Sequence, residues 1–481
     1  MPQLSSTELV SMGRHIPLPF SISITTEQGN AVLKIDTLLR VVPGKRLVAL
    51  TTWQDRTVIV KIFISSNRWK RALLKEITGI NTLRQARLPT PSLLLQTSTA
   101  DSKAGVLITE YLHNGASLAT LFAEAKTEEA RAAVLEMGVK VVADCHMAGL
   151  WQDDIHLDNF MLSAGVVYVL DGADIKTKGK ILNTLTRLKN FARFLAQFPV
   201  EQDEHWPLLL ELYRLKAPEL KVDDTTEFGE MLREARSKRL NAFERKLNRS
   251  TTANRCEQGS NFFYVYDRSI HCAELEHFLT DPDSFIDNHK LLKNGNSSTV
   301  AIVQIDERNY VLKRYNIKNF WHGLSRAFRP SRAHNSWRNA SMLEMLGVAT
   351  AHPYLYLEER LLWVFRRRAY FLCEYLDEKD LGTAWENNEL EIAENDMVAL
   401  FRKLFQVLRD YRISHGDMKS TNFLLCNGRL HVLDLDAMQR SRWKTQFLER
   451  FSKDLKRFQQ NWTGSSLQPE IDKLIAEVAG N

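Results

Sequence analysis

Two stretches of twenty residues in this chain resemble each other at spaced positions, and the repeat limits its possible folds more than any other feature. Trp151–Leu170 reads WQDDIHLDNFMLSAGVVYVL and is followed by Asp171; Ser414–Leu433 reads SHGDMKSTNFLLCNGRLHVL and is followed by Asp434. Aligned without gaps, Asp154 meets Asp417, Asn159 meets Asn422 and Asp171 meets Asp434, each pair 263 residues apart. Glu110-Tyr111-Leu112 returns as Glu374-Tyr375-Leu376 at an offset of 264, and Asn190–Phe194 lines up with Asp454–Phe458 at the same offset. Three segments in one order at nearly one offset imply duplication. Length alone, 481 residues, would allow two or three domains; the repeat predicts two large ones, residues 1–250 and 251–481.

Composition removes several classes. Apolar residues at 44% and charged residues at 25% are the proportions of a globular protein. A net charge of +6 suits an anionic partner without identifying one, and no nucleic-acid partner is called for. The first thirty residues lack the pattern of a secretory signal, and no apolar run reaches the ~20 residues of a membrane span. Cys145, Cys256, Cys272, Cys373 and Cys426 are scattered, which supports neither a disulfide framework nor a zinc site. The expectation is a soluble, cytoplasmic protein.

Each copy opens with β-branched and aromatic runs broken by turn residues, the pattern of an antiparallel sheet. The predicted strands are Ala31–Leu39, Arg46–Thr51 and Arg56–Ile64 in the first copy, and Thr299–Ile305 and Arg308–Tyr315 in the second. A helix follows in each, Arg68–Arg84 and Ala333–Leu346, and the remainder is mainly helical. The basic helix Glu227–Asn248 and the polar stretch Arg249–Ser260 mark the boundary between copies. The predicted class is α+β, with a small antiparallel-sheet lobe and a mainly helical lobe in each domain.

The repeated residues fit phosphoryl transfer. In D-x-x-x-x-N the first carboxylate, Asp154 or Asp417, orients and deprotonates an acceptor hydroxyl. Asn159 with Asp171, and Asn422 with Asp434, are placed to hold Mg²⁺ on the phosphates of ATP. His415–Asn422 (HGDMKSTN) nearly reproduces the kinase pattern H-R-D-L-x-x-x-N, with Lys419 set to meet the γ-phosphate and His156 at the matching place in the first copy. Lys61, in a hydrophobic strand, and Glu76, fifteen residues on, suit the phosphate-binding lysine and its helix partner; Lys313 is the second copy's lysine. Glu110 and Glu374 end apolar strands where a hinge would meet adenine. Ser336 stands opposite Glu76, so the second copy lacks the helix glutamate.

With those residues in view, the chain resembles the lipopolysaccharide kinase family, whose members phosphorylate heptose or Kdo sugars of the inner core. Ser414–Leu425, Leu433–Asp436, Trp337–Ala340 with Leu346–Thr350, and Lys453–Phe458 carry the likeness; the first copy fits more loosely. The resemblance implies two tandem protein-kinase-like bilobal domains with ATP in each cleft, Asp154 and Asp417 as bases, and a lipopolysaccharide core sugar as acceptor. A kinase for a protein or another small molecule, and a scaffold with one pseudokinase half, are the alternative readings. Because a core sugar is lipid-linked, the segment from Lys318 to Arg338, with Arg326, Arg329, Arg332, Phe320, Trp321, Phe328 and Trp337, is a candidate contact with an anionic membrane surface at the cytoplasmic face of the inner membrane.

Overall fold

A computed structural model describes residues 1–65, 67–180, 182–220, 227–287, 289–316, 330–361 and 365–480. The chain divides into two compact units, one of residues 1–198 and 202–235, the other of 199–201 and 236–481. Among the described residues no helix is long and apolar enough to cross a membrane.

The first unit is built on a five-stranded antiparallel sheet, ordered Thr37–Val42, Arg46–Trp53, Arg56–Phe63, Gly105–Glu110, Leu93–Ser98. Lys61 lies on its central strand, between Val48 and Leu107 in register. The single predicted strand Ala31–Leu39 is in fact two. Gly29–Ile35 pairs with Phe20–Thr26 in a separate hairpin, and Thr37–Val42 joins the five-stranded sheet. The continuous apolar pattern hid a break at Asp36.

The second unit carries a seven-stranded antiparallel sheet among the described residues. Its order is Asn254–Gln258, Phe262–Asp267, Pro353–Leu361, Phe365–Glu374, Arg308–Tyr315, Ser298–Ile305, Lys290–Asn294. Lys313 sits between Val300 and Phe371, as Lys61 does between its neighbours. Asn254–Gln258 falls inside the stretch expected to be a polar boundary. It is an edge strand with an exposed face, so its polar sequence concealed its pairing with Phe262–Asp267.

One helix packs on each sheet and also against the turn that follows the repeated segment. In the first unit, helix Trp69–Gln85 meets that turn backbone to backbone: a Cβ on Gly79 would overlap the carbonyl of Gly172, and one on Gly172 would crowd Glu76 and Ile80. In the second unit, helix Arg332–Met345 places Asn339 where Gly79 stands, and Leu435 replaces Gly172. The Asn339 amide, fully buried, donates to Leu435 O at 2.7 Å and to Met438 O at 2.9 Å. The loop after each helix is then pinned to the strand before the aspartate. Thr90 Oγ1 donates to Val169 O and Thr350 Oγ1 to Val432 O, while Val169 N and Val432 N donate back to Pro89 O and Ala349 O.

The helical lobes bury aromatic clusters. Helix Glu394–Asp410 buries Met397, Val398, Phe401, Leu404, Phe405 and Leu408, spaced by three and four residues, so one face is apolar. That face meets Phe423, Phe458 and Trp462. Phe160, Phe191, Phe194 and Tyr213 form the corresponding centre of the first unit.

Gly79→Ala should push its helix off the aspartate turn and cost the first unit about 3 kcal/mol. Asn339→Ala leaves Met438 O without its side-chain donor and Leu435 O with Met438 N alone, and should cost the second unit about 1–3 kcal/mol. Chemical denaturation, with hydrogen exchange to assign each transition to its unit, measures both. Losses under about 1 kcal/mol would mean that the helices are docked by other contacts.

Candidate functional site

The residues of the repeated segment are held by the same pattern of hydrogen bonds in each unit. Asn159 Nδ2 donates to Asp154 O at 3.2 Å, and Leu170 N donates to Asn159 O at 2.7 Å. In the second unit Asn422 Nδ2 reaches Asp417 O at 2.7 Å, and Leu433 N reaches Asn422 O at 2.8 Å. The base candidate, the Asn and the residue preceding the second Asp are therefore tied together twice over. Asp171 and Asp434 then take left-handed backbone, with φ of 58° and 54°. Non-glycine residues held there cluster at functional sites.

Each base candidate has a partner two residues on. His156 Nε2 lies 3.0 Å from Asp154 Oδ1, and Lys419 Nζ lies 2.6 Å from Asp417 Oδ2. Behind the loop, His415 is fully buried. Its Nε2 faces Leu433 O at 2.9 Å, and Asp417 N donates to its Nδ1 at 3.3 Å, which assigns the proton to Nε2. Burial pushes this imidazole below the usual histidine range and keeps it neutral. Gln152, the departure from the kinase pattern in the first copy, makes the equivalent bond: its Nε2 donates to Leu170 O at 3.0 Å.

Two supporting side chains went unrecognised in the sequence. Asp454, on the otherwise apolar face of helix Lys444–Gln460, accepts from His415 N at 2.6 Å and from Gly416 N at 2.9 Å. Asn190 stands in its place in the first unit and donates to Gln152 O at 2.7 Å. The alignment of Asn190 with Asp454 was visible; a polar residue at a buried helix position was the signal of its role.

The lysines sit in charged clusters. In the first unit Lys61 Nζ is hydrogen-bonded to Glu76 Oε1 and lies 3.9 Å from Asp171 Oδ1. Arg46, which the sequence did not single out, reaches both carboxylates, 3.8 Å from Glu76 and 3.6 Å from Asp171. Burial pushes Glu76 above the usual carboxylate range, and Lys61 draws it only partly back. Burial acts the same way on Asp171, but Lys61 and Arg46 outweigh it and hold the group below its ordinary value. Asp171 Oδ1 is a buried oxygen that accepts no hydrogen bond and faces Arg46 and Lys61 at ion-pair distance, an acceptor-only group of the kind a hard cation takes.

In the second unit Lys313 Nζ donates to Asp434 Oδ1 at 2.5 Å and lies 3.5 Å from Asp436 Oδ2. Ser336 is buried and bonds the Tyr315 hydroxyl at 2.9 Å, so the helix position supplies no charge. Lys313, Asn422 and Asp434 line one cleft of about 530 Å³, with Val300, Phe371 and Leu424 among its apolar walls and Glu374–Leu376 along one side. The Glu374 carboxylate accepts from His352 N at 3.2 Å, and Glu374 N donates to His352 O at 2.9 Å. Glu110 ends the matching strand in the first unit.

The basic and aromatic stretch is only partly assignable. Residues 317–329, with Lys318, Phe320, Trp321, Arg326, Phe328 and Arg329, lie outside the described residues. Trp337 is buried in the second unit's core. Arg332 is ion-paired with Asp436 at 2.7 Å, which turns it toward the cleft.

Residues 276–470 match the model of the Lipopolysaccharide kinase (Kdo/WaaP) family. Solved structures similar to the chain include "WaaP in complex with acyl carrier protein", at 19% identity over 43% of this chain and 86% of that one, with a TM-score of 0.33. Another is the bifunctional kinase-methyltransferase WbdD, at 19% identity over 44% of this chain and 54% of that one, with a TM-score of 0.31. No curated protein matches the chain. The family match makes the protein a kinase, with its signature in the second half.

Removing Glu76 leaves Lys61 half-buried beside one carboxylate fewer, so Glu76→Ala should destabilise the first unit by about 2–4 kcal/mol. Ser336→Ala deletes one neutral hydrogen bond and should cost the second unit about 1 kcal/mol. Hydrogen exchange followed by mass spectrometry reads both units in one sample. Equal losses would contradict the asymmetry between the two clusters.

Proposed function

We propose, from the family signature in the second half, that this protein transfers the γ-phosphoryl group of ATP to a hydroxyl of a heptose or Kdo sugar in the lipopolysaccharide inner core. The observation that carries the proposal is the convergence of Lys313, Asn422 and Asp434 on one cleft, within the segment that matches the family. The duplicated hydrogen-bond chain of the first unit supports a second site of the same kind.

Asp417, held by its backbone to Asn422 and by its side chain to Lys419, accepts the proton of the acceptor hydroxyl. The hydroxyl oxygen forms its bond to the γ-phosphorus as the bond to the β,γ-bridging oxygen breaks, and ADP leaves with that oxygen. Lys419 directs positive charge at the transferring group, and Lys313 holds the phosphates that remain. Asp154, His156 and Lys61 have these roles in the first unit. Asn422 with Asp434, and Asn159 with Asp171, would hold Mg²⁺; the unbonded Asp171 oxygen suits a hard cation. When bound, the ion neutralises charge on the phosphate oxygens. The lipid-linked acceptor sets the place of action at the cytoplasmic face of the inner membrane.

Asp417→Asn should lower transfer by its half about 10²–10⁴-fold, with Asp154→Asn doing the same in the other half. The measurement is product mass after incubation with ATP, Mg²⁺ and dephosphorylated core oligosaccharide. Each single variant should retain one phosphorylated product and the double variant none. Undiminished transfer by the double variant would remove both loops from the mechanism, and transfer to proteins but never to the core sugar would replace the acceptor.

A further inference from the structure

The second unit lacks a helix glutamate, yet its lysine does not lack a second carboxylate. Asp436 sits two residues beyond Asp434, with only 7% of its side chain exposed, and its Oδ2 faces Lys313 Nζ at 3.5 Å and Arg332 Nη2 at 2.7 Å. The corresponding residue of the first unit is Ala173, which carries no charge. Carboxylate and small residue have changed places: Glu76 with Ala173 in one copy, Ser336 with Asp436 in the other.

The second cations have moved in the same way. Arg46 comes from the strand next to the lysine strand, opposite Phe63. Ser298 holds that register position in the second unit, opposite Tyr315. The second unit's cation is instead Arg332, from the first turn of the helix, where the first unit has Ala72. Tyr315, the counterpart of Phe63, uses its extra hydroxyl to reach Ser336, and Arg332 lies over its ring at 4.8 Å from the centroid. Both clusters therefore hold two cations against two carboxylates, drawn from different elements.

We propose that Asp436 is the residue that positions Lys313 in the second half, doing from the metal-side turn what Glu76 does from the helix, with Arg332 as the counterpart of Arg46. The inference rests on the reading of the cleft as an ATP site. It makes the second site complete without a helix carboxylate and identifies Asp436 as a positioning residue.

The test uses the full-length protein carrying Asp171→Asn, which weakens the first site so that calorimetry with ATP and Mg²⁺ reports the second. Asp436→Asn should weaken ATP binding about 10–100-fold and raise KM for ATP more than it lowers kcat. Asp436→Glu should keep affinity within a few-fold of the parent, since it keeps the charge. Adding Tyr315→Phe and Ser336→Glu to D436N rebuilds the first unit's arrangement and should restore binding. If D436N does not fold, the proposal requires those two changes to restore folding and binding together. Unchanged binding by D436N, or no recovery on adding Y315F and S336E, would overturn it. Asp417→Asn separates this inference from the reading beneath it: normal ATP binding with lost transfer upholds the kinase site, whereas undiminished transfer overturns the site's reading itself.

Discussion

A lysine ammonium withdrawn from water in the middle of a sheet must face carboxylates, and that requirement organises each unit. The side chains of Lys61 and Lys313 are both 17% exposed, and each is paired with the aspartate that ends the repeated segment. The pairing links the sheet lobe to the turn at the helical lobe's edge, because the lysine belongs to one and the aspartate to the other. Leaving such a cation unpaired would cost several kcal/mol, so the turn, its left-handed aspartate and the helix packed on it have to be held in register. The lysine and the aspartate of each unit are thus held in place by the same contact that closes the charge balance.

The two units meet this requirement with different residues. The helix is docked to the turn by paired glycines in one and by a buried asparagine in the other. The carbonyl before the left-handed aspartate receives its hydrogen bond from Gln152 or from His415. The start of the repeated segment is anchored by Asn190 donating to a carbonyl or by Asp454 accepting from two amides. The positions of donors and acceptors agree between the two units while the side chains supplying them differ. A missing motif residue is therefore weak evidence for a lost function here. The neutral, buried His415 and the Gln152 amide do one structural job.

Much of this was legible in the sequence, and the residues that were not have a common reason. Strands such as Arg56–Phe63 and Arg308–Tyr315 announced themselves because central strands are apolar and β-branched. Asn254–Gln258 did not, because an edge strand can be polar, and the break at Asp36 was masked by apolar residues on both sides. Asp154, Asn159 and Asp171 were found because their spacing repeats. Arg46, Arg332 and Asp436 have no counterpart of the same type in the other copy, so self-comparison could not flag them. Arg332 was instead grouped with its basic neighbours, and only the fold turns it onto Asp436. Spacing finds conserved roles; exchanged roles need coordinates.

The proposed reaction consumes ATP to form a sugar phosphomonoester. Phosphorus NMR of a mixture of full-length protein, ATP, Mg²⁺ and dephosphorylated core oligosaccharide follows every phosphorus species at once. ADP and a new acceptor-dependent phosphomonoester resonance should rise in step, with little inorganic phosphate. ADP appearing only with inorganic phosphate, or ATP left unchanged beside a competent acceptor, would contradict it.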